Sequence, residues 1–256
     1  MCTVTIFFKL SDEYPLVVAG NRDEFLNRPS SDPHRWNPGN DERGTSIFAG
    51  QDLECGGTWM GVNSHGIVAG VTNVWTGSRD PTKLSRGELV LRCLAQNSLR
   101  AIREDLTAGG LYHYNPFNLF CLSTDSGFLL SNACPEPIIL ELKTGVYVVT
   151  NRVLADPDDP KRKWIHSQLL NRPQAPGKLE IFLPTLFAHH GQDDKSQPIC
   201  IHLPGYGTVS SHLVSISEDL RKSRFLYCSG PPCRNSFQDL SSEFTVLFET
   251  HITSSS

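Results

Sequence analysis

The chain has 256 residues, enough to enclose a sizeable core within one domain spanning 1–256. Its formal net charge of −4 argues against a nucleic-acid partner. No apolar run approaches ~18 residues, so no transmembrane helix is expected. The first 20 residues also lack the basic and apolar segments of a secretory signal, so a cytoplasmic location is expected.

Cys2 stands directly behind Met1, at the head of the strand-like run Cys2-Thr3-Val4-Thr5-Ile6-Phe7-Phe8. Loss of Met1 would leave a thiol and a free α-amine on one residue. Their ordinary pKa values, about 8.5 and about 8, make proton transfer between them nearly thermoneutral. A thiolate is a nucleophile that a nearby base or cation activates. Cys2 can equally be read as a small residue buried at the start of a strand. A second apolar run, 15–20, leads into Asn21-Arg22-Asp23-Glu24, and the turn-forming Ser11-Asp12-Glu13 lies between the runs. A hairpin centred on Asp12 puts Cys2 opposite Arg22. It places Val4, Ile6 and Phe8 on one apolar face with Leu16, Val18 and Gly20, as in a half-buried hairpin. Opposed Cβ atoms lie about 4.5–5.5 Å apart, so the guanidinium reaches the sulfur and would lower the thiol pKa. The alternative for residues 21–24 is a solvated charge cluster in a loop.

Residues 29–44 form a polar loop long enough to line the mouth of a pocket. A short strand is expected at 46–50. Strands at 58–62 and 67–72 pair around the turn Asn63-Ser64-His65-Gly66. Gly56-Gly57 then falls opposite Asn73, where glycines admit a second backbone or a ligand. Ser85-Arg86-Gly87-Glu88 reads as a capping box opening a helix to about Gln96, and a second helix covers 99–106. Strands return at 117–122, 127–130, 138–142 and 145–150. After the break Asp156-Pro157-Asp158-Asp159-Pro160, helices cover 162–170 and 177–188, followed by a polar loop at 191–197. Strands are expected near 199–203, 209–216, 225–228 and 244–248, with a fraying tail from His251 to Ser256. Strands and helices in separate runs fit segregated α+β layers.

The eight cysteines are expected to stay reduced. Cys55 lies close to the glycine hairpin and reads either as a residue near the site or, more commonly for such a cysteine, as a small core or loop residue. Cys228 and Cys233 have no zinc-ligand spacing and read as incidental thiols in a proline-rich loop. His189, His190, His202 and His212 show no metal-binding spacing and read as surface histidines, so no metal is expected.

Met1-Cys2-Thr3 with Asn21-Arg22-Asp23-Glu24-Phe25 resembles the NRDE family, also called the Transport and Golgi organisation 2 family. Gly56-Gly57-Thr58-Trp59-Met60-Gly61, Arg86-Gly87-Glu88-Leu89, Tyr114-Asn115-Pro116-Phe117-Asn118-Leu119 and Gly205-Tyr206-Gly207-Thr208 extend the likeness in order along most of the chain. The resemblance implies a branch of the N-terminal-nucleophile (Ntn) hydrolases, akin to penicillin V acylases and bile-salt hydrolases that cleave amides with an N-terminal cysteine. It implies an α+β, four-layer αββα sandwich of two antiparallel sheets between helical layers. It also implies Cys2 as nucleophile, Arg22 and Asp23 as flanking residues, and Asn73 and Asn151 as oxyanion-hole donors. The family usually carries arginine after Gly-Tyr-Gly-Thr, where this chain has Val209. Two function classes follow. One is hydrolysis of a small-molecule amide or ester through a Cys2 thioester, with no cofactor. The other is a non-catalytic carrier of haem or of lipid or acyl-CoA, linked in the family to Golgi organisation, in which haem would need an axial His or Cys. A third reading leaves Cys2 and Arg22 purely structural.

Overall fold

Two seven-stranded antiparallel sheets lie face to face in the computed structural model, which describes residues 2–37, 45–108, 110–154, 156–170, 176–191 and 197–251. In chain order the strands are β1 (Thr3–Phe8), β2 (Leu16–Phe25), β3 (His34–Trp36), β4 (Ile47–Ala49), β5 (Met60–Asn63), β6 (Val68–Asn73), β7 (Phe117–Leu122), β8 (Gly127–Ser131), β9 (Ile138–Glu141), β10 (Gly145–Val149), β11 (His202–Leu203), β12 (Tyr206–Ile216), β13 (Arg224–Ser229) and β14 (Gln238–Asp239). The α-helices are α1 (Arg86–Leu94), α2 (Leu99–Ala108), α3 (Pro160–Leu170), α4 (Pro176–Phe187) and α5 (Ser241–Thr245). The first sheet runs β10-β1-β2-β12-β13-β14, with β11 beside β12; the second runs β3 through β9 in sequence order.

Three apolar clusters define four layers. Val4, Ile6, Phe8, Leu16 and Val18 of the first sheet meet Phe48, Met60, Val62 and Phe120 of the second between the sheets. The outer face of the second sheet packs on Leu89, Val90, Cys93 and Leu94 of α1 and on Ile102 and Leu106 of α2. The outer face of the first packs on Ile165 and Leu169 of α3 and on Leu179, Leu183 and Phe187 of α4. This is the αββα order that the family resemblance implies.

The β1–β2 register pairs Thr3 with Asn21 and Phe8 with Leu16, and its continuation sets Cys2 opposite Arg22, as the hairpin reading expects. One expectation and one alternative reading fail here. The hairpin is buried on both faces, because Phe7, Val17 and Ala19 pack beneath the helices. Residues 21–24 form no loop cluster, because β2 continues through them to Phe25 with β12 on its other side. Asn21 is satisfied inside the sheet. Its Nδ2 donates to the carbonyls of Phe187 (2.9 Å) and Ile199 (3.2 Å), and its Oδ1 accepts from Ser211 Oγ at 2.6 Å.

Other differences are local. The 29–44 loop contains β3; its residues 38–44 lie outside the described residues, as do 192–196 of the expected polar loop and 252–256 of the expected tail. Ser85 is the residue before α1 but makes no side-chain cap, so the capping box does not form. Within 199–203 only His202–Leu203 is strand, since Ile199 and Cys200 donate instead to the His189 carbonyl. The expected strand at 244–248 is helical: Phe244, Leu247 and Phe248 recur at helical spacing and enter the inter-sheet core together.

Candidate active site

Cys2, Arg22, Asn73 and Asn151 line one cleft of about 820 Å³ at the end of the sandwich. Cys2 is only 6 % exposed and stands at the head of β1. Its partner across the hairpin, Arg22, donates from Nη1 to Ser30 Oγ at 2.9 Å and lies 3.6 Å from Asp52 through Nη2. Arg28 Nε binds the same Asp52 carboxylate at 2.6 Å. The guanidinium of Arg22 is thus clamped by the loops that follow β2 and β4.

Asp23, next along β2, points to the opposite face. Thr208 Oγ1 donates to its Oδ1 at 2.6 Å, and Tyr206 Oη donates to its backbone carbonyl at 3.0 Å. The backbone N–H of Asp23 meets the Cys2 sulfur. Asp23 therefore backs the site without lining the cleft.

The asparagines come from the other half of the fold. Asn73 ends β6 and Asn151 follows β10, on different sheets. A buried staple holds these ends together. Thr72 Oγ1 donates to the Thr150 carbonyl at 2.7 Å; Asn118 Nδ2 donates to the carbonyls of Thr150 (3.1 Å) and Arg152 (2.7 Å). The backbone N–H of Trp75 also reaches the Asn151 carbonyl at 3.3 Å. Thr150 Oγ1 in turn donates to Asp159, which caps α3 by accepting from the Arg162 N–H at 3.0 Å. Gly57 belongs to the same construction. A Cβ on it would lie 2.5 Å from the Gly87 backbone, so the second backbone admitted there is the start of α1.

The floor of the cleft is aromatic. Trp59 packs edge-on against His212 with centroids 4.9 Å apart, and His212 lies 5.0 Å from Tyr227. Gly20 makes room for the indole, since a Cβ there would meet Val4 at 3.0 Å and Trp59 at 3.4 Å. His212 is 2 % exposed, which overturns its reading as a surface histidine. It alternates with Val214 and Ile216 on the inward face of β12 and takes part in the inter-sheet packing. Its Nδ1 has no hydrogen-bond partner among the described residues.

Burial dominates the electrostatics. It pushes the Cys2 thiol above its ordinary value, while the amino-terminal charge and, more weakly, Arg22 pull the other way. The lowered thiol pKa expected from Arg22 is thus reversed, because desolvation of the sulfur outweighs the pull of the guanidinium. Burial holds the Asp23 carboxyl at about 6, against the opposing amino-terminal charge, the Thr208 hydrogen bond and Lys161. Burial pushes His212 down to about 3, with Arg22 adding to the shift, so its imidazole is neutral. Lys161, at the start of α3, is pushed down by burial and held up by Asp23 and Asp159.

Among the described residues, five cationic side chains line the cleft, Arg22, Arg28, Arg79, Lys83 and Arg86, against the carboxylates of Glu24 and Asp52. Val209 sits at a β-bulge between Thr208 and Ser210, where its carbonyl accepts from Gly230, and it contributes nothing to the cleft wall. The cations come from elsewhere. Sequence reasoning missed Arg86, Trp59, His212 and Lys161 as site residues. Arg86 and Trp59 lie inside quoted motifs, and the alternation of β12 was the available signal for His212.

The family model for Transport and Golgi organisation 2 matches residues 1–226. The chain belongs to the Transport and Golgi organisation 2 family. A mouse homologue, Transport and Golgi organization 2 homolog, is 36% identical over 169 residues, covering 59% of this chain and 58% of its own. A human homologue is 29% identical over 257 residues, covering 84% of this chain and 88% of its own. Among solved structures, a penicillin V acylase from Agrobacterium tumefaciens superposes with a TM-score of 0.56 at 11% identity, over 89% of this chain and 83% of its own. The Caenorhabditis elegans ortholog of N-acylethanolamine-hydrolyzing acid amidase gives a TM-score of 0.53 at 11% identity, over 84% and 92%. A mutant conjugated bile acid hydrolase from Clostridium perfringens gives 0.51 at 12% identity, over 96% and 94%. The family member described here therefore has the Ntn-hydrolase fold.

Proposed function

We propose that this protein hydrolyses an amide or ester of a small molecule through a thioester on Cys2. The observation that carries the proposal is the convergence of Cys2, Arg22, Asn73 and Asn151 on one cleft from separate segments of the chain. Removal of Met1 places the α-amine on Cys2. The amine accepts the thiol proton as the sulfur attacks the substrate carbonyl, and Asn73 and Asn151 donate to the oxyanion. Collapse expels the amine or alcohol, which takes that proton, and leaves the acyl group on sulfur. Water then attacks the thioester with the α-amine as base, releasing the carboxylic acid and the thiol. A raised thiol pKa suits this scheme, since the thiolate forms only as the amine receives the proton. The cationic lining and the exposed apolar lip of Phe25, Trp75, Leu84 and Leu203 favour a substrate with an apolar part and an anionic group. The fold neighbours named as acylase, hydrolase and acid amidase support the reaction class.

The test is intact-mass analysis of protein lacking Met1 after brief exposure to a panel of N-acyl and thioester compounds bearing anionic groups. An acyl increment on Cys2, absent from Cys2→Ala and from protein retaining Met1, is expected. Full turnover by Cys2→Ala rules the mechanism out.

A second reading rests on His212. Its neutral, buried imidazole with an unpartnered Nδ1 on an apolar floor rimmed by arginines suits a carrier of an apolar, carboxylate-bearing ligand such as haem. Haemin titration separates the two functions. A Soret shift retained in Cys2→Ala and lost in His212→Ala, with no acyl adduct on the parent protein, supports the carrier.

A further inference from the structure

Away from the cleft, four side chains converge from three segments: the stretch after α4, the β11 region and the loop after β13. We propose that His190, Cys200, His202 and Cys233 form a structural zinc site. Cys200 Sγ lies 3.6 Å from Cys233 Sγ and 3.7 Å from His202 Nε2, and His202 Nε2 lies 3.2 Å from Cys233 Sγ. With zinc bonds of about 2.3 Å to sulfur and about 2.0–2.1 Å to nitrogen, the edges of a tetrahedral site measure roughly 3.3–3.8 Å. The three separations fall inside that range or within about 0.1 Å of it. A ring nitrogen of His190 completes the set, with all four ligand atoms within 4.8 Å of one another. His190 Nδ1 lies 3.2 Å from the Cys200 carbonyl. Donation there fixes the tautomer and leaves Nε2 for the metal, the usual orientation of a ligating histidine.

Two thiolates and two imidazoles select zinc over hard cations and neutralise its charge. Binding replaces two thiol protons, which are released, and nothing is oxidised or reduced. Four protein ligands close the coordination sphere, so the site is structural and not catalytic. Its mechanical target is specific. The His189 carbonyl accepts from the backbone of Ile199 and Cys200, and Ile201 exchanges hydrogen bonds with Thr208. The metal therefore pins the β11–β12 turn, which carries the cleft residues Leu203 and Tyr206 and leads to Thr208, the partner of Asp23. The cysteine spacing carries no zinc motif because the ligands are assembled by β-pairing and not by one short loop.

The protein, purified untagged with a non-thiol reductant, is loaded with zinc, desalted and assayed by elemental analysis. About one zinc per chain is expected, falling at least about tenfold in Cys233→Ser and in His202→Ala but not in Cys134→Ser. Cobalt substitution reads the ligands independently of activity. The parent protein should show a thiolate-to-cobalt charge-transfer band with intense tetrahedral ligand-field bands, and Cys233→Ser should lose the charge-transfer intensity. Metal content well below one per chain after loading, equal loading in Cys233→Ser, or a Cys200–Cys233 disulfide that persists under reduction would each overturn the site.

Discussion

Cys2 sits where burial opposes ionisation and the amino-terminal charge and Arg22 favour it, and burial prevails. A resting thiol follows, and nucleophilicity then depends on the amine that takes the proton. Serine at this position keeps the shape but raises the pKa of the nucleophile by several units. Cys2→Ser should therefore lower kcat at least about 100-fold with KM little changed, as steady-state kinetics on a responsive substrate would show; comparable kcat would remove sulfur from the mechanism. Asp23 carries a different burden. Its folded carboxyl titrates at about 6 against an ordinary 3.8. The native state thus holds a proton that the unfolded chain has lost between those values, and stability falls as pH rises through that window. The cost above pH 6 is at most about 3 kcal/mol. Asp23→Asn removes it while keeping an acceptor for Thr208. Denaturant unfolding should find the variant more stable than the parent at pH 7.5 and no more stable at pH 3.5. Equal differences at both pH values would show that the charge is not what burial opposes.

The hairpin of β1 and β2 is the element that sequence reading resolved best. A two-residue period, a short polar turn and one consistent apolar face leave a single register, and that register meets Cys2 with Arg22. Its burial on both faces was not legible, because the helices that cover Phe7 and Val17 arrive some 150 residues later. Residues 244–248, which end α5 and open the helical turn after it, were misread as a strand, since five residues with two aromatics, Phe244 and Phe248, satisfy either period. The staple of Thr72 and Asn118 onto Thr150 was invisible for a related reason. It joins β6 and β7 of one sheet to the end of β10 on the other, and nothing local in the chain marks that contact. It makes a clear prediction. Asn118→Ala removes one of two donors from the buried Thr150 carbonyl and the donor of the part-buried Arg152 carbonyl, at about 1–3 kcal/mol of stability. It also frees the Asn151 segment from Asn73, and displacement of about 1 Å costs roughly 100-fold in rate. Urea denaturation and kcat should therefore fall together. A destabilised variant with unchanged kcat would show that Asn151 needs no such support.

At the scale of the molecule, an acidic chain presents a cationic cleft. The protein carries a formal net charge of −4, yet among the described residues five cationic side chains line the site against two carboxylates. The two fields have different reach. At about 0.01 M ionic strength the Debye length is about 30 Å and an approaching anion feels the whole negative surface; at about 0.15 M it is about 8 Å and the cleft dominates; near 1 M it is about 3 Å and even the cleft is screened. Arg86 is the best probe of this inner field. It is held by donation to the Pro116 carbonyl at 3.0 Å, and burial lowers its pKa, with Arg79 adding to the effect. A group already strained by like charge and desolvation gains most from an arriving anion. The Kd of an anionic ligand should thus change little between about 0.01 and 0.15 M salt and weaken steeply towards 1 M, whereas an isosteric neutral ligand should stay flat throughout. Arg86→Gln should raise the Kd of the anion about tenfold, near 1.4 kcal/mol, and leave the neutral ligand unaffected. Calorimetric titration across that salt series decides the matter, because a cleft built for neutral substrates would bind both ligands alike and ignore the loss of Arg86.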